Sequence, residues 1–122
     1  MGEDEQAGAT AVVNQVRLCG RVAAEPVERV LPSGAHIVSV RLILTRDQTA
    51  MTRGSQQKSD WVECSGWSAA LRRKMDGWQP GDIVSVEGAL RRRHYRHGGG
   101  SGSVIEIEVL AAKRTQRAPV TV

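Results

Sequence analysis

The side chains most suited to recognition are the aromatics, and the chain has four: Trp61, Trp67, Trp78 and Tyr95, with no Phe. Trp61 and Trp67 stand six residues apart in a run of strand periodicity, so both project from one face. Glu63 and Ser65 share that face, while Val62 and Cys64 alternate with it. Tyr95 lies inside the densest basic run, Arg91-Arg92-Arg93-His94-Tyr95-Arg96-His97. Flat rings interleaved with cations on extended backbone suit two tasks at once: stacking against planar groups and pairing with phosphates. Each stacked base contributes ~1–3 kcal/mol, so two or three exposed rings decide such a site. Two plainer readings stay open: an apolar patch under a helix or at a subunit contact for the tryptophans, and a solvated hairpin for the basic run. Trp78, between a short helix and a turn, fits a packing plug.

Other cations extend the candidate set. Arg46, Arg53 and Lys58 fall in a polar stretch over Arg46–Asp60, and loops of that length are usually functional or mobile. Arg72 and Arg73 point outward from the short helix. Arginine supplies 14 of the 17 cations, and guanidinium groups both bind phosphate bidentately and stack. The formal charge is +4, but Glu3, Asp4 and Glu5 lead the chain. Residues 12–122 hold 17 basic against 10 acidic groups, a net +7, which invites a polyanionic partner.

Catalytic chemistry finds no foothold. There is no Walker-type loop, GxSxG or HExxH, and Gly98–Gly102 precedes no helix that could cradle a phosphate. No Cys, Asp or Glu stands near His94 and His97 in sequence, so no metal site is expected. Cys19 and Cys64, 45 residues apart, suit neither a disulfide framework nor zinc, and their apolar strand patterns predict buried free thiols. The expectation is a binding protein, not an enzyme, with no cofactor. No apolar run reaches bilayer length and the opening MGEDEQAG is no secretory signal, so a cytoplasmic, nucleoid-associated protein without a membrane partner is expected.

The periodicity predicts the elements that position these residues. Strands are expected over 14–23, 36–45, 61–67, 83–95 and 103–110, with a helix over Ser68–Asp76 capped by Ser68. Val16, Leu18 and Val22 should face inward, as should Val38, Val40, Leu42 and Leu44, then Val84, Val86 and Leu90, then Ile105, Ile107 and Val109. Residues 24–29 break the pattern at Pro26, and Leu31–Gly34 reads as a turn. Five strands with one short helix between the third and fourth is the layout of the all-β Greek-key barrel called the OB-fold. The expected organisation is a flexible tail over 1–11, the barrel over 12–112 and a short basic tail over 113–122.

Three stretches resemble the bacterial single-stranded DNA-binding protein family. Asn14-Gln15-Val16-Arg17-Leu18-Cys19-Gly20-Arg21-Val22, followed by Pro26 and Arg29, is similar to its opening strand. Asp60-Trp61-Val62-Glu63 resembles its third strand, and Gly81 to Arg91 its fourth. The resemblance, over roughly 13–112, implies sequence-nonspecific coating of single-stranded DNA in replication, recombination and repair, usually by a homotetramer. It implies that Trp61, Trp67 and Tyr95 stack bases, that Arg91 and Arg93 contact phosphates on the same arm with Arg92 and Arg96 beside them, and that Lys58 lies in the matching loop. It also implies a dimer seam near Arg17, Cys19 and Arg21. A further stacking tryptophan of the family would fall near Gln48. Family members usually end in a tail with an acidic tip that recruits replication and repair enzymes. This sequence ends Thr121-Val122 with no such tip, which fits a paralogue, a mobile-element version or a shortened chain alike and puts tail-dependent recruitment in doubt. Alternatives are a primosome-type accessory protein, often dimeric, that binds single strands and docks a helicase loader, and an OB-fold subunit that binds protein or structured RNA.

Overall fold

A computed structural model describes residues 10–120, the side chain of His97 apart. The expected tail over 1–11 therefore lies almost wholly outside the described residues. The elements are β1 (Val16–Val22), β2 (Val27–Val30), β3 (His36–Thr45), β4 (Ser59–Gly66), α1 (Ala69–Asp76), β5 (Ile83–His97) and β6 (Gly100–Gln116). Hydrogen bonding runs β1-β5-β6-β4-β3-β2, and a second pairing of β1 with β3, at Arg21↔Ile43 and Val22↔Leu42, closes five strands into a barrel. β4 and β6 pair in parallel and the other pairs are antiparallel. This is the OB-fold, with one short helix leading into β5, as the strand pattern predicts.

Alternation builds the core. Val22, Val40, Leu42, Val84, Val86 and Ile107 are each at most 2% exposed and meet inside the ring. α1 starts where Ser68 Oγ accepts from the Leu71 amide at 3.2 Å. It buries Met75 over one barrel end, against Gly66, where a Cβ would stand 2.5 Å from the Met75 sulfur. Trp78 follows, 2% exposed, as the expected plug.

The structure departs from the sequence reading in several places. β2 is an added strand on the outer edge of β3; all four of its residues are exposed, so no apolar alternation marks it. β6 continues to Gln116 instead of stopping at Leu110. The β5–β6 register shifts between Glu87 and Gly88, which pair with Ala111 and Val109, so Leu110 is an extra residue that breaks the period of two. The hairpin tip is also shorter than expected, since β5 and β6 pair up to His97↔Gly100.

Leu90 and Ile105 have the expected parity, yet each is 46% exposed. β1 covers β5 only as far as Val16↔Gly88, and β4 reaches β6 only from Ile107. Both residues therefore lie past the barrel end, on a two-stranded arm. The Asn14 side chain continues the β1 ladder there, donating to the Leu90 carbonyl at 2.9 Å and accepting from its amide at 2.8 Å. Cys19 is exposed, against the expected buried thiol, since it shares the outward face of Arg17 and Arg21. Cys64 is buried, and burial, with the Glu63 and Glu106 charges adding to it, pushes its thiol up to about 12, which leaves it inert at neutral pH.

Asp82 locks the turn into β5. Its carboxylate, 1% exposed, accepts from the Gln79 amide at 2.8 Å, the Ala118 amide at 2.7 Å and Arg114 at 3.3 Å. Burial works to raise its pKa; the amides of Gln79 and Ala118 and the Arg114 guanidinium outweigh it, so the group titrates below its ordinary 3.8. The stabilisation is then complete above the unfolded value and lost as pH falls through the lower folded value. Asp82→Asn is expected to lower stability at neutral pH by about 2 kcal/mol and to flatten the fall in melting temperature below about pH 4. Parallel melting curves for the two proteins across that range contradict this account of Asp82.

Candidate nucleic-acid interface

Register assembles one outer surface from four strands. Ile43↔Trp61, Arg41↔Glu63 and Ser39↔Ser65 align β3 with β4, Ser65↔Glu108 aligns β4 with β6, and Arg91↔Glu106 aligns β5 with β6. The residues that face outward from these pairs lie side by side. Trp61 is 61% exposed on this surface, and Trp67, just past the end of β4, is 43% exposed. Six residues of chain put the two Cα atoms up to ~20 Å apart. The Trp67 indole N–H donates to Ser65 Oγ at 3.3 Å, and Arg72 Nε of α1 donates to the Trp67 carbonyl at 3.2 Å, fixing that end. At the other end the Arg41 guanidinium lies 4.0 Å from the centre of the Trp61 ring.

Two clefts flank the rings. One, of about 490 Å³, is bounded by Ser65, Trp67, Arg91, Arg93, Glu106 and Glu108. The other, of about 380 Å³, lies against Trp61, Arg41, Glu63, Val27 and Ile105, and Arg93 borders both. The guanidiniums here are held by carboxylates: Arg91 by Glu108 at 3.0 Å, Arg93 by Glu106 at 2.9 Å and Arg41 by Glu63 at 3.6 Å; Arg46 pairs with Asp60 at 3.0 Å where the loop meets β4, on the parity opposite to Trp61. A phosphate approaching this strip meets paired cations.

The structure thus brings together Trp61, Trp67, Arg91 and Arg93, with Arg72 at the Trp67 end; Arg46 it leaves off this surface, at the base of the loop. Tyr95 is 39% exposed further out on the arm, its ring over Gly102. Arg92 and Arg96 have the opposite parity on β5; both are exposed, and Arg92 donates to Ser103 Oγ at 3.0 Å. Arg53 and Lys58 are exposed in the loop over 46–58, tied at its base by the Arg46 amide donating to the Lys58 carbonyl. Arg73 is exposed in the last turn of α1. Sequence reasoning missed Arg41 and the acid partners, because both depend on register across a loop and a hairpin. The outward parity of Arg41, Glu106 and Glu108 was the available signal. Among the described residues no group of three or more His, Cys, Asp or Glu could hold a metal ion, and no helix is long and apolar enough to cross a membrane.

Comparison with known proteins gives consistent matches. The model of the single-strand binding protein family matches residues 13–115. Single-stranded DNA-binding protein B of Bacillus subtilis is 31% identical over 98 residues, covering 80% of this chain and 84% of that protein. Protein A of the same organism is 26% identical over 86 residues, 70% of this chain and 49% of its own length. Single-stranded DNA-binding protein 2 of Listeria innocua is 26% identical over 100 residues, 82% and 61%. The chain thus spans about half to three fifths of the length of these last two. Among solved structures, the Plasmodium falciparum SSB complex with ssDNA superposes with a TM-score of 0.67 at 20% identity, over 85% of this chain and 94% of that one, a likeness of fold.

Proposed function

We propose that this chain, which belongs to the single-strand binding protein family, holds unpaired DNA on the outer barrel surface that carries Trp61 and Trp67. One observation carries the reading: two of the three indoles stand open on one wall among guanidiniums, 61% and 43% exposed, while the third is sealed at 2%. Open indoles accept stacked bases whatever the sequence, and arginines along the wall meet the phosphates between them. On this reading Tyr95 extends the path along the arm, Arg91 and Arg93 line it, and Lys58 and Arg53 approach it from the loop, with Arg46 at the loop's base. Arg92, Arg96, Arg72 and Arg73 lend general positive potential. The role is coating of single strands during replication, recombination and repair, without bond-making chemistry.

Assembly with further copies fits the free edge of β1. That strand pairs with β3 only at Arg21 and Val22, which leaves Val16–Gly20 paired on one side alone. Mass in solution separates a tetramer from the dimer of a primosome-type protein.

The test is an anisotropy titration of labelled oligo-dT at several salt concentrations. Logarithmic affinity is expected to fall linearly with logarithmic salt, by ~0.7 per phosphate neutralised, and duplex of equal length to bind far more weakly. Equal affinity for duplex, or no salt dependence, contradicts the reading.

A further inference from the structure

We infer that Ser65 is a positioning residue for single-strand binding: its hydroxyl holds the Trp67 indole by the N–H edge and presets the ring for a base. The inference rests on the single-strand reading above. Ser65 shares the outward parity of Trp61 and Glu63 on β4, yet it is only 2% exposed. The Trp67 indole N–H donates to its Oγ at 3.3 Å, and the same hydroxyl donates to the Ile107 carbonyl of β6 at 3.5 Å. One serine thereby links the ring to the seam where β4 and β6 pair, at Ser65↔Glu108. The backbone of Trp67 is tied from the other side, where Arg72 Nε of α1 donates to its carbonyl at 3.2 Å. Polar partners hold the residue at two points although it stands 43% exposed.

The anchor matters because of where Trp67 stands. It lies between the end of β4 at Gly66 and the cap of α1 at Ser68, so no strand ladder fixes it. An exposed indole on such backbone samples several rotamers, and a base that stacks on it must immobilise one of them. The Ser65 hydroxyl meets that ordering cost before a strand arrives. It does so at the N–H edge, which stacking leaves unused, since a base takes the face of the ring. The anchor is also neutral, so its contribution is separate from the phosphate contacts and from their dependence on salt. Trp61 is held differently, by the Arg41 guanidinium over its ring.

Anisotropy titrations with oligo-dT test this, with Ser65→Ala beside the unaltered protein. Ser65→Ala is expected to weaken binding about fivefold, with the slope against salt unchanged because no charge moves. Trp67→Phe keeps a stacking ring but has no N–H, and in that background Ser65→Ala is expected to change affinity by less than about twofold. Equal losses in the two backgrounds overturn the inference, because Ser65 then acts on something other than the indole. An unchanged affinity in Ser65→Ala overturns it too, as does an altered slope. A second measurement needs no variant to fold. In the unaltered protein without DNA, the indole proton of Trp67 is expected to exchange with solvent several-fold more slowly than that of Trp61, whose indole meets Arg41 through the ring face. Equal exchange overturns the inference while leaving the single-strand reading in place. Failure of the unaltered protein to bind oligo-dT removes that reading itself, and the inference with it.

Discussion

Replacing Trp61 and Trp67 together with Ala is expected to weaken oligo-dT binding by about 2–6 kcal/mol, ~30-fold to ~10⁴-fold, while the melting temperature stays nearly unchanged. Both parts of this expectation come from exposure. The rings are 61% and 43% open, so neither supports the core, and each offers a free surface to a base. Their Cα atoms stand up to ~20 Å apart, so the rings meet different nucleotides and their losses should add. Trp61→Ala also removes the ring 4.0 Å from the Arg41 guanidinium, but Arg41 keeps its partner Glu63 at 3.6 Å, so little of the loss is offset by a new phosphate contact. Affinity measured by anisotropy is the appropriate check, because the substitutions remove the fluorophores that would report quenching. A loss of less than about threefold in a folded double variant contradicts the stacking role.

The largest effect on stability is expected at Gly88. A Cβ built there lies 1.8 Å from the Glu108 carbonyl oxygen and 3.2 Å from the Val109 Cα. Both are backbone atoms of β6 and neither can swing aside. Gly88 sits at the register shift where β5 and β6 lie this close. Gly88→Ala must part the two strands, and the cost is expected to exceed ~4 kcal/mol, most of the stability of a domain this size. Gly98→Ala is the control: nothing lies within 4 Å of the Cβ position there, and the change is expected to stay within about 0.5 kcal/mol. Urea unfolding of both variants checks this; equal midpoints contradict the packing described at the shift.

The barrel was legible where one face is buried and the other is not. Val16 to Val22 alternate, Val38, Val40 and Leu42 mark the inward face of β3 although Ile37 and Ser39 on its other face are buried too, Val62 and Cys64 mark β4, and Ser68 with Leu71 and Met75 marks the helix. β2 left no trace because both of its faces are wet. The C-terminal half of β6 was hidden because Leu110 resets the phase of the alternation. Leu90 and Ile105 show a different limit: a period of two tells which way a side chain points, not whether a strand lies beneath it. Cys19 was misplaced by its residue type, although its neighbours Arg17 and Arg21 carried the right answer.

The candidate surface was half legible. Spacing alone puts Trp61 and Trp67 on one face, and composition makes the wall basic. The pairing of Arg91 with Glu108 and Arg93 with Glu106 was not readable, since it depends on how β5 and β6 align across a hairpin whose glycines permit several registers. Outward acids in a strand look like ordinary solubilising charge until the partner strand places arginines beside them. That pairing changes the expected behaviour of the surface, from a plain cationic track to a strip where phosphates must displace carboxylates.

Three indole N–H resonances make the central claim directly measurable. In a ¹⁵N-labelled sample titrated with oligo-dT, the signals of Trp61 and Trp67 are expected to shift strongly and together with occupancy, while Trp78, sealed under the barrel end, stays in place. Shifts confined to Trp78, or three unmoved signals at saturating oligonucleotide, would mean that unpaired DNA does not lie on this wall.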